Sequence, residues 1–105
     1  MKIEDGIKFD NDKVRWDLIP FEFIEEIAKV YTFGAQKYKA NSWQKVENAE
    51  ERYFAALMRH ISEYRKGNGD DEESGLSHLD HAIANLAMLI EYEEHFPQGD
   101  DRFKR

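Results

Sequence analysis

The chain has four histidines, all after position 59, and three of them stand close to an acidic run. His60 and Glu63 are three residues apart, and so are His78 and His81. On a helix, residues at i and i+3 project from one face, since each residue turns the chain by about 100°. Extending the line from His78 and His81 reaches Asn85, Met88 and Tyr92. Asp70, Asp71, Glu72 and Glu73 lie between the two histidine pairs. If the two helices are antiparallel neighbours, His60 and Glu63 face His78 and His81 across this acidic connection. The product is a pocket of imidazoles and carboxylates. Carboxylate oxygens suit Mg²⁺ or Mn²⁺, and imidazole tilts the preference toward Mn²⁺ or another transition metal. A carboxylate there can also serve as general base toward a water. The same spacing is compatible with hydrogen-bonded core histidines beside a solvated acidic loop, because HxxE and HxxH are weak patterns singly.

A second group of residues is basic and aromatic. Lys8, Lys13, Arg15, Lys37 and Lys39 surround Trp16, Tyr38, Asn41 and Trp43. Lys and Arg hold phosphates, and Trp and Tyr stack on a base. The two tryptophans serve equally well as closures of a helical core.

Three helices must position these groups. Pro20 suits the first turn of a helix whose apolar positions are Ile24, Ile27, Ala28, Tyr31 and Ala35. A connection follows at Asn41 to Glu47. The second helix is expected from about Ala49 to Lys66, with Tyr53, Ala56, Leu57, His60, Ile61 and Tyr64 inward. Gly67-Asn68-Gly69-Asp70-Asp71 reads as a loop. The third helix is expected to start at Asp71 to Ser74, with Asp71 as a cap, and to end near His95 before Pro97. Leu79, Ala82, Ile83, Leu86, Leu89 and Ile90 are expected on its core face. Residues 1–16 read as an irregular arm and 97–105 as a flexible tail. The expectation is an all-α, small helical bundle of about three main helices, one domain over 1–105. Apolar positions beyond a single stripe on the third helix (Ala84, Ala87, Met88) point to completion of the bundle by oligomerisation, as a homo-oligomer (dimer or tetramer).

Composition narrows the function classes. The 105 residues carry 15 Lys+Arg against 22 Asp+Glu, a formal net charge of −7, with no cysteine. Disulfides, thiol nucleophiles and Cys-ligated metals are thereby excluded. The acidity argues against nucleic-acid binding, which needs a basic face. The most apolar run, Ala82 to Ile90, is interrupted by Asn85 and too short to span a bilayer, and no signal-like stretch opens the chain. A cytoplasmic protein with no membrane partner is expected.

Three blocks of the chain carry a resemblance. They are Lys13-Val14-Arg15-Trp16-Asp17-Leu18-Ile19-Pro20; Phe33-Gly34-Ala35-Gln36-Lys37-Tyr38 with Asn41 and Trp43; and Arg59-His60 with Asp71-Glu72-Glu73-Ser74-Gly75-Leu76-Ser77-His78-Leu79-Asp80-His81-Ala82 and Asn85-Leu86. Together they resemble the family of phage dATP/dGTP diphosphohydrolase N-terminal domains, similar in character to MazG-like all-α nucleotide pyrophosphohydrolases. The resemblance implies metal-dependent hydrolysis of a deoxypurine triphosphate (dATP or dGTP) to monophosphate and pyrophosphate, in a bacterial host's cytoplasm if the protein is phage-encoded. It implies Mg²⁺ or Mn²⁺ held among His60, Glu63, Asp71, Glu73, His78 and His81, with Glu63 or Glu73 activating the water. It implies substrate contacts from Lys13, Arg15, Lys37, Tyr38, Asn41, Trp43 and Asn85. MazG-like enzymes use acidic pairs where this chain has His60/Glu63 and His78/His81. A non-catalytic phage protein that binds and sequesters a nucleotide is the alternative that the same residues allow.

Overall fold

The computed structural model describes residues 11–95. The expected tail at 97–105 and the first ten residues of the arm lie outside them. Three helices make up the fold: α1 (Phe21–Lys37), α2 (Ala49–Arg65) and α3 (His78–His95). Single 3₁₀ turns at Trp16–Leu18 and Ser42–Lys45 complete it, and there is no strand among the described residues. The protein is all-α, as the helical periodicity requires.

Each boundary has a local cause. Pro20, with φ −60°, needs no N–H partner and precedes α1 directly; Phe23 N–H donates to its carbonyl at 3.1 Å. α1 runs through Gly34 to Lys37, a base in the last turn that complements the helix dipole. Asn41 and Asn48 bracket the α1–α2 connection in the left-handed region, at φ 62° and 53°. Asn is among the few side chains that tolerate this conformation.

The start of α3 differs from the expectation. Asp71 to Ser74 do not open the helix; they form a turn before it. Gly75 N–H donates to the Asp71 carbonyl and Asp71 N–H to the Leu76 carbonyl, both at 2.8 Å. Gly75 takes φ 73°, which ends any helical run begun at 71. The helix begins at His78, with Ser77 in the capping role: Leu79 N–H donates to Ser77 Oγ at 3.1 Å.

α2 and α3 form the main contact and α1 packs on α3. His60 near the end of α2 meets His78 at the start of α3, and Tyr53 meets Tyr92 at the other end, so the pair is antiparallel. The seam between them is unusual in composition. Buried apolar residues among the described positions are Val30, Ala49, Ala82, Ala84 and Tyr92, alongside buried His60, His78, His81 and Asn85. Leu79, Leu86 and Ile90 were expected inside, yet they are 45%, 41% and 54% exposed. α3 carries two stripes about 100° apart, and this chain turns the histidine stripe inward. On α2, Ile61 and Tyr64 likewise face outward, with Phe54 and Met58. No described helix is long and apolar enough to cross a membrane.

Candidate functional site

The inner faces of all three helices and the 40–46 connection enclose a cleft of about 970 Å³. That is the upper end of the size range of small-molecule sites. At one end lie the histidines. His60 Nδ1 stands 2.9 Å from His78 Nδ1, and the His60 ring stacks on His81 at 4.6 Å and 11°. Two imidazoles can meet nitrogen to nitrogen only if one donates and the other accepts, so at least one ring of this pair is neutral. Burial pushes His60 down to about 4, with His81 and His78 adding to the effect. Burial also lowers His81, against a raising pull from Asp71. Both shifts favour the neutral form of His60 and His81, the form of imidazole that ligates metals.

The turn before α3 aims the carboxylate. Asp71 Oδ1 accepts from Ser74 N–H at 2.8 Å and lies 3.9 Å from His81 Nε2. Burial pushes the Asp71 carboxyl up, but hydrogen bonds from Ser74 and the nearby imidazoles bring it below the usual range. Ser74 Oγ in turn bonds His81 Nε2 at 2.7 Å and accepts from Leu76 N–H at 3.1 Å. Ser74 thus fixes both Asp71 and His81. His60, Asp71 and His78 each offer a ligand atom, all within 4.8 Å of one another. Two imidazoles and one carboxylate suit a divalent first-row transition metal.

Cations border the same cleft. Lys37, Lys39, Arg52 and Arg59 line it against Asp71 and Glu73. Within a chain of net charge −7, four cations against two carboxylates mark a local positive field. Lys37 forms an ion pair with Glu73 across the cleft mouth. Arg59, next to His60, has no ion-pair partner among the described residues.

The far end is aromatic. Trp43 lies edge-on to Tyr31 at 6.0 Å and to Tyr92 at 6.1 Å. Tyr92, 1% exposed, donates its hydroxyl to the Trp43 carbonyl and accepts from Val46 N–H at 3.0 Å. Tyr53 OH also reaches the Trp43 carbonyl, at 3.4 Å. Two tyrosines from α2 and α3 therefore clamp the 3₁₀ turn that presents Trp43.

Of the residues singled out by sequence, His60, Asp71, Glu73, His81, Lys37, Tyr38, Asn41, Trp43 and Asn85 line this one cleft. His78 stands behind His60, in contact with it. Glu63 does not line the cleft: it accepts from Asn68 Nδ2 at 2.6 Å and pairs with Lys66 at 3.7 Å at the solvent edge. Lys13 and Arg15 also lie outside the lining, and Arg15 bonds Asp17 at 2.7 Å. Arg52, Arg59 and Tyr53 line the cleft without having been assigned a role from sequence. Arg59 adjoins His60 in the sequence, which was the available signal; Arg52 and Tyr53 are set there by packing.

The chain is thus an all-α protein whose cleft brings together an imidazole–carboxylate cluster, cations and aromatic side chains. The family model described as "dATP/dGTP diphosphohydrolase, N-terminal" matches residues 4–102, and the chain belongs to that family. It is 40% identical over 97 residues to a dATP/dGTP diphosphohydrolase of Salmonella phage PMBT28, across 92% of this chain and 33% of that protein. The chain thus spans about a third of the length of this curated relative. No solved structure matches it.

Proposed function

We propose that this chain is a metal-dependent nucleoside triphosphate diphosphohydrolase, acting on deoxypurine triphosphates (dATP or dGTP) and releasing the monophosphate and diphosphate. The observation that carries the reading is the polarity of the cleft: a His–Asp–His cluster with Arg59 and Lys37 at one end, an aromatic wall at the other. A nucleoside triphosphate has the same polarity. The family match supports the substrate class.

His60, Asp71 and His78 would hold the divalent ion, Mg²⁺ or Mn²⁺, with the two imidazoles favouring Mn²⁺. A bound ion supplies charge neutralisation and polarises the scissile phosphoryl group. Arg59 and Lys37 bind the phosphates by charge-assisted hydrogen bonds. Trp43 and Tyr38 flank the base. Glu73 takes a proton from the attacking water; a bond forms from water oxygen to the α-phosphorus, and the α–β bridge breaks as diphosphate leaves. Glu63, at the solvent edge, is the less favourably placed of the two candidate bases. In this reading His81 positions Asp71 and Ser74 instead of ligating.

The proposal extends to self-association. Phe54, Met58 and Ile61 on α2 and Leu79, Leu86 and Ile90 on α3 leave an apolar face on the hairpin away from the cleft, between 37% and 54% exposed. A second copy covering it would complete a four-helix layer, an arrangement that favours a homodimer.

The test is incubation with dATP and dGTP plus Mn²⁺ or Mg²⁺, with chromatographic identification of products. Metal-dependent release of monophosphate and diphosphate, lost in His78→Ala with the fold retained, supports the reading. Nucleotide that binds and is recovered intact would instead make this a sequestering protein.

A further inference from the structure

Asn85 sits one helical turn beyond His81 on α3, is 9% exposed and lines the cleft. Its amide is locked. Nδ2 donates to the His81 carbonyl at 2.8 Å, and a carbonyl can only accept, so the NH₂ must point there and Oδ1 away from it. Oδ1 has no partner among the described residues. No fully enclosed side-chain oxygen or nitrogen among them lacks a partner, so Oδ1 reaches open space. The open space beside it is the cleft.

A nearly buried acceptor held in one orientation selects for a ligand that brings a donor, because leaving it dry and unpaired carries the full desolvation penalty. Its surroundings fit a flat donor. Ala55, Ala56 and Ala84 line the cleft with little bulk, and Trp43 walls the far end. We infer that Asn85 is the residue that reads the base: its Oδ1 accepts a hydrogen bond from the exocyclic amino group of a purine. The inference rests on the nucleotide reading above, which sends the phosphates to the His60–Arg59 end and the base past Asn85 toward Trp43. It adds what that reading lacks, a group that separates amino-bearing purines from their des-amino counterparts.

The test uses non-hydrolysable α,β-imido nucleotides with Mn²⁺ and reads binding by calorimetry. Two pairs differ only in the amine: dATP against purine deoxyriboside triphosphate, and dGTP against dITP. Wild type is expected to favour the amino member of at least one pair by roughly ten- to hundredfold. Asn85→Leu, which has the same branching and side-chain heavy-atom count but no acceptor, is expected to erase that preference while circular dichroism shows the helices intact. Asn85→Asp, which keeps an acceptor oxygen, is expected to retain part of it. Wild type that binds both members of both pairs equally overturns the inference and leaves the nucleotide reading standing. So does Asn85→Leu that weakens both members of a pair alike, the pattern of a sugar contact or a structural role. Wild type that binds none of the nucleotides overturns the nucleotide reading and this inference with it.

Discussion

The clamp on the α1–α2 connection makes a sharp prediction about Tyr92. Its hydroxyl is the shared partner of the Val46 N–H, at 3.0 Å, and the Trp43 carbonyl, in a side chain only 1% exposed. Tyr92→Phe keeps the ring packing against Trp43 and Tyr53 and removes only the oxygen. Val46 N–H then loses its acceptor, while the Trp43 carbonyl keeps the longer bond from Tyr53. A part-buried donor left without its acceptor costs up to about 1–3 kcal/mol, and one carbonyl bond out of two lost adds up to about 1 kcal/mol. The expected destabilisation is about 1–4 kcal/mol, or a melting shift of roughly 4–32 °C for a domain of this size. Tyr53→Phe is the control: it removes a bond of 3.4 Å to a carbonyl that keeps its better partner, and should cost under about 1 kcal/mol. The assay is urea unfolding followed by far-UV circular dichroism, at one protein concentration so that any association is held constant. The order Tyr92→Phe well above Tyr53→Phe is required. Equal losses, or a Tyr92→Phe loss under about 0.5 kcal/mol, would refute the clamp and with it the account of how Trp43 is held.

Three further outcomes follow from the same geometry. Arg59→Ala should weaken triphosphate binding about tenfold or more and flatten its salt dependence, measured by titration at two ionic strengths; unchanged affinity would remove Arg59 from the phosphate site. In metal-free protein, His60 is held at about 4 against an ordinary 6.5, so the folded state binds fewer protons than the unfolded one in that window. Its contribution is complete above pH 6.5 and is lost as pH falls toward 4, and His60→Gln should flatten that acid limb in unfolding curves; an unchanged limb would contradict the buried neutral assignment. Leu86→Glu should yield a monomer by light scattering if the outer α2–α3 face seats a second copy, while metal binding in the cleft persists; a wild type already monomeric at tens of micromolar would contradict the dimer.

The helices were legible because their signals are local. Apolar spacing marks α1 and α2, and Gly67 with Asn68 and Gly69 marks the break between α2 and α3. The start of α3 was not, because Asp71 and Ser74 are cap-type residues whose bonds close a turn instead, and only Gly75 in the left-handed region decides between the two. Which stripe of α3 faces inward was also hidden. Periodicity shows that Leu79, Leu86 and Ile90 share a side, but choosing between that side and the His78–His81–Asn85 side depends on where α1 and Trp43 pack. The histidine cluster itself followed from i, i+3 spacing on antiparallel neighbours. Glu63 shares that spacing with His60 yet turns to Asn68 at the helix end, a partner that no pattern within α2 reveals.

The reaction proposed for this cleft is cleavage of a deoxypurine triphosphate between its α- and β-phosphates. The most direct measurement is a product assay by anion-exchange chromatography, run on dATP and dGTP with Mn²⁺, with and without chelator, for wild type and Asp71→Asn. Monophosphate and diphosphate are expected in equal amounts, abolished by chelator and by Asp71→Asn in a protein that remains folded. Intact nucleotide, or nucleoside with triphosphate, would contradict it.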